Sequence, residues 1–89
     1  MIKANDLVSE YMYNYLLELH ELLPRIERIL VAHAKNGSYT CFISDKDVNK
    51  KYREYTYTRA IKHLKEHGYA AKVPYGEGDG VRLFVSWND

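Results

Sequence analysis

The sequence predicts a small α+β domain in the order α-β-α-α-β-β, and three observations carry that reading. A 3.6-residue apolar stripe runs from about Asp6 to Ala34, which marks one long helix. The hydrophobic phase then breaks between Tyr55 and Tyr57. At 100° per residue Val48, Tyr52 and Tyr55 share one face, whereas Tyr57, Ala60, Ile61 and Leu64 lie roughly opposite. Finally, two short segments rich in alternating apolar residues flank a glycine-rich loop at 76–80.

In the first element Val8, Met12, Tyr15, Leu19, Leu22, Ile26, Leu30 and His33 hold one face, with Asp6, Glu10, Asn14, Glu21 and Arg28 opposite. The stripe keeps its phase through Pro24, so a kinked helix is expected there, because proline removes a backbone donor and crowds the carbonyl of His20. Asn36-Gly37 supplies a left-handed stop. A helix of that span reaches about 42 Å, against about 30 Å for a compact domain of this size. Either Pro24 folds it back or its first half projects as an arm over residues 1–23, leaving 24–89 as the body of a single domain. Tyr11, Tyr13 and Tyr15 add aromatic area to the arm, and an arm left wet implies a homodimer through Tyr11, Tyr15 and Leu19.

Residues 38–43 are β-branched and aromatic enough for a short strand, in which Cys41 reads as a small buried hydrophobe. Ser44 or Asp45 is placed to cap a short helix through about Lys51. A turn at Tyr55-Thr56, with Thr56 as cap, then starts a second helix over 57–67 that stops at Gly68. Residues 69–75 and 81–87 form the closing hairpin. Val81, Leu83, Val85 and Trp87 alternate with Arg82, Phe84 and Ser86, so one face is buried. Phe42 and Phe84 fall out of phase with those core rows and are expected on the outer face, under the N-terminal arm.

Bulk properties exclude several classes. With 89 residues and 46% apolar content the chain is one ordinary globular domain. No apolar run approaches the roughly 18 residues that span a bilayer, and the first six residues carry no signal core. A single cysteine precludes an internal disulfide framework. A cytoplasmic protein with no membrane partner and no cofactor is therefore expected.

The formal net charge of +1 conceals an uneven distribution. Residues 1–44 hold four basic and five acidic side chains, residues 45–72 hold eight basic and four acidic, and residues 73–89 hold one basic and three acidic. Positive charge is concentrated on the segment with the phase break, where it could face phosphates.

Val48 in the first helix of the pair, Ile61 and Leu64 in the second, Gly68-Tyr69 and the returning strand 81–87 resemble the winged helix-turn-helix family of DNA-binding domains, over roughly residues 24–87. The resemblance implies that the second helix enters the major groove and that the hairpin touches backbone or minor groove. On that reading Thr58, Arg59 and Lys62 contact bases. Lys46, Lys50, Lys51, Arg53, Thr56, Lys65 and Lys72 contact phosphates, about five of them at once for a salt slope near −4 to −5. Two departures are visible: the Val48–Gly68 spacing is a residue or two tight, and Glu77 and Asp79 make the hairpin tip acidic. In size and texture the chain also looks like small proteins of bacterial or archaeal viruses and mobile elements, some of which act as inhibitors or adaptors through protein–protein contact.

No catalytic constellation is present in the sequence. His63-Leu-Lys-Glu-His67 matches the H-x-x-E-H pattern of inverted zinc peptidases, but the short chain offers neither a convincing third ligand nor a cleft, so it reads as coincidence on an exposed helix. Glycines 76, 78 and 80 alternate with acids, which suits a hairpin turn and not a phosphate cradle.

Overall fold

Glycine fixes where both helices stop. The computed structural model describes residues 3–74 and 80–87, with the side chains at positions 5–11 and 15 excepted. Among the described residues the order is α1 (Ala4–Lys35), β1 (Thr40–Ser44), α2 (Glu54–Glu66), β2 (Ala70–Lys72) and β3 (Val81–Ser86). Gly37 and Gly68 adopt φ of +87° and +91°. In each case the next two amides fold back on the last helical turn, Gly37 N and Ser38 N to Ala34 and His33, and Gly68 N and Tyr69 N to Lys65 and Leu64. That is the paired closure that a left-handed glycine permits.

The three strands form one antiparallel sheet in the order β1-β3-β2. Cys41 and Ala71 flank Val85, and Ile43 pairs with Leu83, so these five make the inner face. They are buried together with Leu22, Ile26 and Leu30 of α1 and Tyr57, Ala60 and Leu64 of α2. Phe42, Phe84 and Lys72 share the opposite face by strand alternation. The pairing slips between Ile43 and Ser44, so that Ser44 meets Val81 and Arg82 is the extra residue of a bulge.

Helix α1 runs continuously through Pro24. The lost amide costs one bond to the carbonyl of His20, while Leu22 and Ile26, fully buried on either side, hold the flanking turns. Its 32 residues reach about 48 Å, which accounts for molecular extents of 54 × 27 × 20 Å. The element therefore projects and does not fold back. The body reaches further toward the N-terminus than residue 24, because Leu19, Leu22 and Leu23 all pack against the core.

The expected helix over 45–51 is not formed, so the order has one helix fewer than the sequence predicted. Ser44 and Asp47 do make a reciprocal cap: Ser44 N donates to Asp47 Oδ2 at 2.8 Å and Asp47 N to Ser44 Oγ at 3.3 Å. Only one turn follows, and Asn49 ends it at φ +56°. The chain is then extended until α2 begins at Glu54, with Arg53 in the N-cap position. The break between two short segments thus exists but lies three residues before Thr56. Val48 and Tyr52 are buried as expected, reached from a turn and an extended strand of chain and not from one helical face, and Tyr55 is left exposed. The hairpin tip, including Glu77 and Asp79, lies outside the described residues.

Candidate nucleic-acid interface

Helix α2 is seated by its inner face. Thr56, Tyr57, Ala60 and Leu64 are buried, which at 100° per residue leaves Tyr55, Thr58, Lys62 and Lys65 along the centre of the outward face. All four are exposed. Glu54 and Glu66 border this stripe, and no carboxylate lies within it. Thr58 Oγ1 donates back to the Glu54 carbonyl at 3.2 Å, as hydroxyls in helices commonly do. Arg59, expected beside Lys62, sits on the flank: it is half-buried and already engaged within the chain.

Two α1 carboxylates hold the start of α2. Glu18 Oε1 accepts from Arg53 N at 3.2 Å and from Thr56 Oγ1 at 3.0 Å, and Glu18 Oε2 meets Arg53 Nε at 2.9 Å. Arg53 itself supplies no side-chain cap, so an acid from another helix places negative charge at the N-terminus of α2. Glu21, one turn on, accepts from Tyr52 Oη at 2.8 Å and from Lys50 Nζ at 3.3 Å, and pairs with Arg25 at 3.3 Å. These bonds from Tyr52 and Lys50 hold the Glu21 carboxyl below its usual range. Burial, with the bond to Glu21, pushes the Tyr52 phenol up to about 12. Nothing local in the sequence marks Glu18 or Glu21 as anchors of this segment, since their partners there lie 29–38 positions away.

The expected phosphate contacts divide accordingly. Thr56 is fully buried, with its hydroxyl on Glu18, and so cannot meet a phosphate. Lys50 and Arg53 are exposed but paired with Glu21 and Glu18. Lys46 and Lys51 stand exposed on the turn and the extended segment that precede α2, on the same side of the sequence break as Arg53. Lys65 belongs to the outward stripe. Lys72 lies elsewhere, on the outer sheet face, with its Nζ 5.6 Å from the Phe84 ring centroid. Of the expected dimer contacts, Leu19 packs against its own core, and the side chains of Tyr11 and Tyr15 lie outside the described residues.

Asp45 connects the turn to both α2 and β3. It accepts from Arg82 Nε and Nη2 at 3.1 and 3.0 Å and from Tyr57 Oη at 3.1 Å, while its amide donates to the Gly80 carbonyl at 2.9 Å. The Arg82 guanidinium, aimed here by the bulge, holds the Asp45 carboxyl below its usual range. His63 and His67 stack at 4.3 Å between ring centroids, and His67 Nδ1 lies 2.9 Å from the His63 carbonyl. Among the described residues no group of three potential ligands joins them. Cys41 is buried, and its thiol is pushed up to about 11 mainly by that burial. No helix of the described residues is long and apolar enough to cross a membrane. The chain matches no protein-family model, no curated protein and no solved structure.

Proposed function

We propose that this chain is a winged-helix-like protein that binds duplex DNA through α2, as a small regulator of transcription or replication. The observation that carries the proposal is the outward stripe Tyr55, Thr58, Lys62 and Lys65, polar and basic, on a helix whose other side is locked into the core. A helix about 10–12 Å across fits a major groove about 12 Å wide. The strand order supports the same reading, because β1 pairs with β3 and leaves β2-β3 as a hairpin beside α2. Base contact then falls to Tyr55 and Thr58, with Arg59 held at the flank. Lys46, Lys51, Lys62 and Lys65 are the cations best placed for phosphates, and four such contacts give a salt slope of about −3.6.

Fluorescence anisotropy on a short duplex tests this. Lys62→Ala with Lys65→Ala should weaken binding and halve the slope to about −1.8. Affinity and slope unchanged in that variant, or no duplex binding by the wild type at low salt, would overturn the reading.

A second reading, a protein–protein module acting as inhibitor or adaptor, is favoured by the arm. Tyr13, Leu16 and Leu17 are 60%, 45% and 50% exposed on the projecting part of α1. Within the DNA-binding reading the same surface pairs two copies, which places two α2 helices on one duplex.

A further inference from the structure

We propose that the outer face of the sheet is a second nucleic-acid site, one that takes a single strand by stacking a base on Phe42 between the cations of Lys72 and Lys65. Phe42 and Phe84 are direct partners on β1 and β3, with ring centroids 4.9 Å apart and planes inclined at 50°. The inner-face residues of both strands are buried, so this pair contributes little to the core. Phe42 remains 47% exposed, and the N-terminal arm, expected to cover it, does not. A half-exposed aromatic ring on the open face of a sheet, packed beside a second ring on the central strand, calls for an occupant.

Charge selects the occupant. Phe42 and Phe84 border a concavity of about 680 Å³ whose other lining includes Ile61, Lys65, Lys72, Val73 and Pro74, with no carboxylate among the described lining residues. The Lys72 ammonium already stands 5.6 Å over the Phe84 ring. Phe84 is thus partly covered while Phe42 offers the open ring. Flat apolar rings flanked by two cations match a strand that alternates bases and phosphates, and the stacking contact is tolerant of sequence. A duplex cannot use the platform, since its bases are already stacked.

The site shares only Lys65 with the outward stripe of α2, so its test uses Phe42 and Lys72. Anisotropy on a fluorescent oligothymidylate should show binding with a salt slope of about −1.4 from two phosphate contacts. Phe42→Ala should weaken it about tenfold or more, while Phe42→Trp, which enlarges the ring, should retain it. Lys72→Gln, on a fully surface side chain, should reduce the slope by about 0.7. Duplex affinity should be the same in all three variants, whether or not duplex binding itself is found. Three results would overturn the proposal: no single-strand binding by the wild type at low salt, equal loss in Phe42→Ala and Phe42→Trp, or an unchanged single-strand affinity in Phe42→Ala. A fourth would do so by naming another occupant: Phe42→Ala turning a sedimenting dimer into a monomer would make the face an interface between copies.

Discussion

Asp45 shows how much one side chain can organise in a chain this short. Its carboxylate receives Arg82 from the bulge of β3 and Tyr57 from α2, so turn, strand and helix meet at one charge. A carboxyl whose folded pKa is depressed stabilises the fold above its unfolded pKa, near about 4, and that contribution disappears as pH falls through the folded value. Asp45→Asn should therefore lower the melting temperature by a few degrees at neutral pH, and its gap from the wild type should narrow as the pH is taken below the unfolded carboxyl range. A gap independent of pH would mean that packing and not charge accounts for the loss. Glu18 acts at a similar distance. With Glu18→Ala the buried Thr56 hydroxyl loses its partner, at a cost of about 1–2 kcal/mol. In a double-mutant cycle read by urea unfolding, Thr56→Val should recover part of that loss, because the orphaned hydroxyl is then gone. Additive losses would refute the coupling.

Among the elements, the long helix, both glycine stops and the strand that carries Leu83 and Val85 were legible from spacing alone. Periodicity fixes a face, and a glycine after the last periodic residue fixes an end. The segment between β1 and α2 was legible only in part. Val48 and Tyr52 have helical spacing and are both buried, yet Asn49 in the left-handed region ends the turn and the extended chain returns Tyr52 to the core by another route. Periodicity cannot separate those routes when only two apolar residues are involved. Thr56 was misplaced for a related reason: threonine is a good cap by type, but here the capping acid comes from α1. Arg59 fell short of the outward stripe because it lies about 100° round the helix from Thr58 and about 120° from Lys65, which turns it toward the flank. Phe42 and Phe84 were rightly assigned to the outer face by their phase. What would cover them depended on where α1 points, which no local pattern records.

At the scale of the molecule, the radius of gyration of 14.7 Å exceeds the about 12 Å of a compact domain this long, and the arm is the reason. Tyr13, Leu16 and Leu17 are left facing solvent on a helix whose C-terminal half buries one face against α2 and β1. A second copy laid along that surface removes the exposed area without disturbing the body. Sedimentation should show a dimer that becomes a monomer with Leu16→Glu and Leu17→Glu, while thermal unfolding of the body changes little. A wild-type monomer at high micromolar concentration would contradict this pairing, and with it the placing of two recognition helices on one duplex.

The proposal that α2 meets duplex DNA is tested most directly by backbone amide chemical shifts, followed while a short duplex is added at low salt. The account predicts perturbations along residues 54–66, strongest near Thr58 and Lys62, with smaller ones at Lys46 and Lys51. Shifts confined to the arm, or none at saturating duplex, would contradict it.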